Sequence, residues 1–261
     1  MTIPRIVFLF VLPFFSLGSL AQQGIADDQA TSRIDTNEVI LVAGATGQTG
    51  SRVVRQLKGL GYKKVLAMTR SEERAISKFG SDTEWVEANV TDPESLQKAF
   101  QGVDRIISTI GSTREPGNGT EAVEYLGVKN MVDAALDNGV KILVLTSSAG
   151  VTDENNELNR ILDNVLIWKL KGEDYLRQSG LNYSIVRSGG LKPEIPGGQF
   201  GVYLSQNDDT RAGQISVEDV ASVLIEAANH PDAHRKTYEI FNYVTRYPAA
   251  WPSTFAILEK D

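Results

Sequence analysis

Three glycines at three-residue intervals close the run Val39-Ile40-Leu41-Val42-Ala43-Gly44-Ala45-Thr46-Gly47-Gln48-Thr49-Gly50. The residues before them are apolar over the length of one strand, and Val53, Val54, Leu57 and Leu60 after them recur at helical spacing. Strand, glycine loop and helix in that order form the phosphate cradle of dinucleotide-binding folds. Gly44 permits a tight turn off the strand, and Gly47 offers no side chain to obstruct a pyrophosphate. Gly50 lets the helix lie close to the sheet. Unpaired N–H groups at the helix start, backed by the macrodipole, favour an anion there.

Beyond this loop, strand and helix patterns alternate, which predicts a Rossmann-like, doubly wound parallel sheet with helices on both faces in a single α/β domain. Strands are expected at 39–43, 64–69, 83–87, 105–110, 141–146 and 183–187. Helices are expected at 48–60, 72–80, 93–100, 121–138 and 165–179. Gly61 falls where a helix C-cap glycine belongs, and Asp92-Pro93 reads as an N-cap followed by proline at the first helical position. After Leu191 the alternation loosens, with a helix expected at 217–228 and a late strand at 237–241.

The chain has 261 residues, 41% of them hydrophobic, and no Pro/Gly/Ser-rich linker divides it. A net charge of −7 without a basic stripe argues against nucleic acid as a partner. With no cysteine, disulfides, thiolate catalysis and cysteine-based metal sites are excluded, and no metal site is expected. His230 and His234 lie in a late polar stretch and are expected in a solvated loop. Residues 1–21 read as a secretory signal peptide: Arg5 precedes an apolar run from Ile6 to Phe15, and Ser19-Leu20-Ala21 supplies small residues before a cut. The alternative is an N-terminal membrane anchor, although the apolar run is shorter than the roughly 20 residues a spanning helix needs. Residues 22–37 read as a polar tether and 38–261 as the nucleotide-binding domain. Export to a secreted or periplasmic location then conflicts with use of an intracellular cofactor; cleavage would leave no membrane contact. The residues specify no oligomeric state.

In open parallel sheets the ligand lies outside the carboxyl ends of the strands. At the second exit, where NAD-binding chains place a carboxylate on the ribose, this chain has Arg70, with Arg74 one helical turn on. A guanidinium suits a 2′-phosphate, so NADP(H) is expected ahead of NAD(H). Asn89 and Val90 at the third exit are placed to meet adenine, although Asn89 could equally shape a turn. Ser108, Thr109, Ile110 and Gly111 at the fourth would pass beside the cofactor. At the fifth, Thr146, Ser147 and Ser148 bring hydroxyls near the nicotinamide, and Lys169 projects from the following helix.

Gly44-Ala45-Thr46-Gly47-Gln48-Thr49-Gly50, Thr146-Ser147-Ser148 and Trp168-Lys169 with Ser179-Gly180-Leu181-Asn182-Tyr183 together resemble the atypical short-chain dehydrogenase/reductases. Within these the chain is similar to the NmrA-like, NAD(P)H-binding group, which includes the flavin reductase/biliverdin-IXβ reductase type. The resemblance implies that Gly44, Thr46, Gly47 and Thr49, flanked by Gln48 and Gly50, hold the pyrophosphate. It assigns Arg70 and Arg74 to the 2′-phosphate, Asn89 and Val90 to adenine, and Ile110 and Gly111 to the cofactor bed. Ser148 matches the active-site serine position, and Lys169 falls where a contact to the cofactor ribose is expected. One departure is plain: the tyrosine four residues before the lysine, which donates a proton in the Tyr-x-x-x-Lys enzymes, is Val165 here. Hydride transfer to a flavin, quinone or similar conjugated small-molecule acceptor needs no such donor. A non-catalytic, dinucleotide-binding sensor or scaffold is the alternative expectation.

Overall fold

The computed structural model describes residues 35–206, 208, 213–244 and 251–261. The expected signal peptide, and the tether up to Ile34, lie outside the described residues. Eight strands form the main sheet in the order β3-β2-β1-β4-β5-β6-β10-β8. They are β1 Val39–Ala43, β2 Lys64–Thr69, β3 Glu84–Glu87, β4 Arg105–Ser108, β5 Ile142–Ser148, β6 Tyr183–Ser188, β8 Gly201–Ser205 and β10 Lys236–Tyr243. All pairings are parallel except β8 with β10. The strand order turns back at β1 and β4, so the crevice for a ligand opens there.

Both faces are covered because side chains alternate along each strand. From β1, Ile40 and Val42 point to one face, where α1 (Gln48–Gly59) and α7 (Val217–Asn229) pack through Val53, Leu57, Val220 and Leu224. Leu41 and Ala43 point to the other, against α3 (Pro93–Ala99), α4 (Val128–Asp137) and α6 (Val165–Gln178). Local chemistry sets several boundaries. Asp92 accepts N–H bonds from Glu94 and Ser95 at the start of α3, and Ser71 caps α2 (Glu72–Phe79) by accepting from Arg74. Gly61, at φ +85, follows α1 and its N–H reaches the Lys58 carbonyl.

Several expected boundaries move. β4 stops at Ser108, although the Thr109 N–H still makes the next rung to the Ala43 carbonyl at 2.9 Å and its hydroxyl donates there as well, also at 2.9 Å. β5 instead continues to Ser148, where its last two residues pair with Arg187 and Ser188 of β6. The helix after β4 opens as a π-helix, Glu121–Gly127, before α4. A short α5, Glu157–Ile161, precedes α6. After β6, β7 (Gly190–Lys192) and β9 (Gln214–Ser216) pair as a separate two-stranded sheet. Arg187 on β6 ties α6 and β10 together, its buried guanidinium meeting Glu173 at 2.8 Å and Glu239 at 3.1 Å.

Candidate functional site

The glycine loop is shaped by close approach. Gly44 turns off β1 at φ +77, and a Cβ there would lie 2.7 Å from the Thr109 carbonyl oxygen. A Cβ on Gly50 would lie 2.3 Å from the Gly44 carbonyl oxygen. Gly47 is exposed and caps α1; no side chain caps that helix, and its first turn carries no acid. Its first amide groups are therefore a fitting receptor for a phosphate.

One cleft collects four strand exits. Gly44, Thr46 and Gly47 come from the first, Met68, Thr69 and Arg70 from the second, Ala88, Asn89 and Val90 from the third, and Thr109, Ile110 and Gly111 from the fourth. Thr113, Asn118 and Val123 complete its wall. A recess beside it shares Thr46, Thr69 and Arg70 and adds Ser71, Arg74 and Lys78. Asn89 does both things expected of it, lining the cleft while its side-chain oxygen accepts the Thr91 N–H at 3.2 Å. Arg70 pairs with Glu115 at 2.8 Å across the mouth.

The other expected site residues stand apart from this cleft. Gln48 is exposed, while Thr49 and Gly50 are buried in the first turn of α1. Ser148 is half-buried and donates to the Ala149 carbonyl at 3.1 Å. The Lys169 ammonium lies 2.7 Å from a carboxylate oxygen of Glu124, so it is held by protein in the free chain. Burial opposes the charge of Glu124, but Lys169 and the Ser112 N–H outweigh it and hold the carboxyl below its usual range. Thr146, together with Ser108 and Ser147, carries a buried hydroxyl without a hydrogen-bond partner, at the paired carboxyl ends of β4 and β5. The bare glycines and the uncapped helix start, by contrast, fit the pyrophosphate of a dinucleotide.

The position four residues before Lys169 carries no proton donor. Val165 is buried against Val151 and Leu166. The Tyr175 hydroxyl donates to Asp133 at 2.6 Å, and that bond, with burial behind it, raises its pKa. The histidines correct the expectation of a solvated loop. His230 is half-buried, its ring centroid 5.6 Å from that of Phe255, and His234 is half-buried with Nδ1 3.1 Å from the Asn182 amide nitrogen. Burial first and the Arg105 charge second lower the His234 pKa to about 4. Among the described residues no group of three or more His, Asp or Glu side chains is placed to hold a metal ion. No helix among them is long and apolar enough to cross a membrane.

Sequence reasoning missed Lys78, Glu124, Thr113 and Asn118. Lys78 lies two turns after Arg70, on the same helix as Arg74, and that spacing could have found it. Glu124 carried no such signal, since a π-turn shifts the helical phase.

Comparison with known proteins agrees with this geometry. Residues 44–231 match the model of the NAD(P)H-binding family. An uncharacterized chloroplastic protein of Arabidopsis thaliana is 35% identical over 228 residues, covering 81% of this chain and 79% of its own. Sanguinarine reductase of Eschscholzia californica is 30% identical over 241 residues, covering 77% and 88%. Among solved structures, one from Bacillus halodurans described as a candidate NAD-dependent epimerase/dehydratase superposes with a TM-score of 0.71 at 27% identity. It covers 80% of this chain and 96% of its own. From the glycine cradle through α7, the chain belongs to the NAD(P)H-binding family of Rossmann-like, atypical short-chain dehydrogenase/reductase-type proteins.

Proposed function

We propose that the cleft takes NADP(H) ahead of NAD(H), and that the protein reduces a planar, conjugated small molecule of the flavin or quinone type. The recess at the second strand exit carries the reading. Arg70, Arg74 and Lys78 gather there beside Ser71, where a 2′-phosphate on the adenosine ribose would lie. The Arg70–Glu115 pair is half-exposed on both sides. A pair so exposed is worth at most about 1 kcal/mol, so a phosphate dianion can displace the carboxylate.

The bound cofactor supplies the hydride; the chain supplies placement. The first-turn amides of α1 receive the pyrophosphate, and Asn89 and Val90 frame the adenine. Lys169 holds the nicotinamide ribose, and Ser148, whose hydroxyl now rests on a neighbouring carbonyl, turns to the acceptor. With Val165 in the tyrosine position, the acceptor takes its proton from water, which flavins and quinones can do. The kinship with a sanguinarine reductase supports reductive chemistry. Val165 also favours a second reading, a dinucleotide-binding sensor or scaffold without turnover. Residues 1–21 remain a secretory signal in this proposal; the chloroplastic relatives support an N-terminal targeting segment in the broader sense.

Calorimetry followed by an NADPH-oxidation assay over flavins and quinones tests the assignment. NADPH should bind at least about tenfold tighter than NADH, and Arg70→Ala with Arg74→Ala should erase the difference. Tight binding without oxidation on any acceptor selects the sensor. No heat with either dinucleotide sinks both readings.

A further inference from the structure

The π-turn Glu121–Gly127 touches three parts of the cofactor bed. At its end, Gly127 lies so close to the third strand exit that a Cβ would stand 2.7 Å from the Val90 side chain, and Asn130 donates to the Val90 carbonyl at 2.9 Å. At its middle, one carboxylate oxygen of Glu124 accepts the Ser112 N–H at 2.7 Å. Ser112 sits between Gly111 and Thr113, which line the cleft. The other oxygen accepts from Lys169 at 2.7 Å. Gly172, one turn beyond Lys169 on α6, makes the approach possible: a Cβ there would lie 2.3 Å from the Glu124 carbonyl oxygen.

A carboxylate this deep is an expensive way to hold two helices together, since apolar side chains of equal volume serve as well or better. What distinguishes this one is what it joins. Both of its oxygens are spent on site elements, the loop after β4 and the lysine of α6. An ammonium has three donors. Glu124 takes one and thereby sets the direction of the rest, and the Lys169 side chain keeps 17% of its surface open.

We propose, on the NADP(H) reading above, that Glu124 is a positioning residue for the nicotinamide half of the cofactor, aiming the two remaining Lys169 donors at the ribose diol while fixing the loop after β4 through Ser112. The adenosine half, held at the first three exits, does not depend on it.

Titration calorimetry on the full chain with two probes, NADP+ and adenosine 2′,5′-bisphosphate, separates these halves, because the second lacks the nicotinamide ribose. Glu124→Gln preserves shape and removes charge. It should weaken NADP+ by about tenfold and leave the bisphosphate within about twofold. Lys169→Met should show the same pattern, and the double variant should be no weaker than Lys169→Met alone, because both act through one ammonium. Equal losses on the two probes would make Glu124 a general structural residue and overturn the proposal, as would unchanged NADP+ affinity. Should Glu124→Gln fail to fold, the double variant, free of the unpaired charge, carries the test; wild-type affinity for NADP+ in it overturns the proposal. A wild-type chain that binds neither probe removes the NADP(H) reading itself, and this inference with it.

Discussion

At the scale of single residues, the glycines of the cradle were legible because their constraint is steric and local. Gly44 and Gly50 stand where a methyl group would strike backbone oxygen, and sequence spacing alone records that. His234 was not legible, because its burial depends on residues far along the chain: Asn182 beside its ring and Arg105 in the field around it. Its depressed pKa has a definite sign in stability. The folded ring stays neutral down to about pH 4, whereas the unfolded ring takes a proton near its ordinary value of about 6.5. Between those values the unfolded chain binds more protons, so this residue's contribution to stability rises with pH and is lost as pH falls from about 6.5 through about 4. His234→Gln should therefore lose less melting temperature than wild type between neutral pH and about pH 4.5. Parallel pH profiles for the two proteins would refute this.

At the scale of elements, caps and turns followed rules that operate within a few residues. Asp92 before Pro93 and Gly61 after α1 are where the sequence places them. The π-turn escaped because it answers to tertiary contacts, namely Val90 against Gly127 and Glu124 against Gly172. β7 and β9 escaped for a different reason: strands of three residues are too short for periodicity to register. Gly172 is the element-scale test. With an oxygen 2.3 Å from its would-be Cβ, Gly172→Ala must push α6 off the π-turn. The expected loss is on the order of 1–3 kcal/mol in urea denaturation. Unchanged stability would mean that the two helices are not in contact as described.

At the scale of the whole molecule, the order from β3 through β6 was implicit in the alternation of strand and helix, since right-handed crossovers leave few other arrangements. The antiparallel addition of β8 was not, because nothing in five residues announces their partner. Of the candidate site, the anion cradle and the guanidinium recess could be read from spacing. The fastening of Lys169 to Glu124 could not, because the two are 45 residues apart. The leader is the remaining whole-chain expectation: mass spectrometry of the mature protein from its native source should give a first residue of Gln22. A chain that still begins at Met1 would refute processing there.

Charge is unevenly shared between the two ends of the bed. Arg70, Arg74 and Lys78 crowd the recess at the second strand exit, where only Arg70 is matched by a carboxylate, that of Glu115, while Lys169 at the far side is paired with the buried Glu124. An incoming dinucleotide would feel its pull at the tail that takes no part in the chemistry. The reactive end would then settle into electrically quiet surroundings, its ribose seated by the aimed Lys169 donors rather than by net charge.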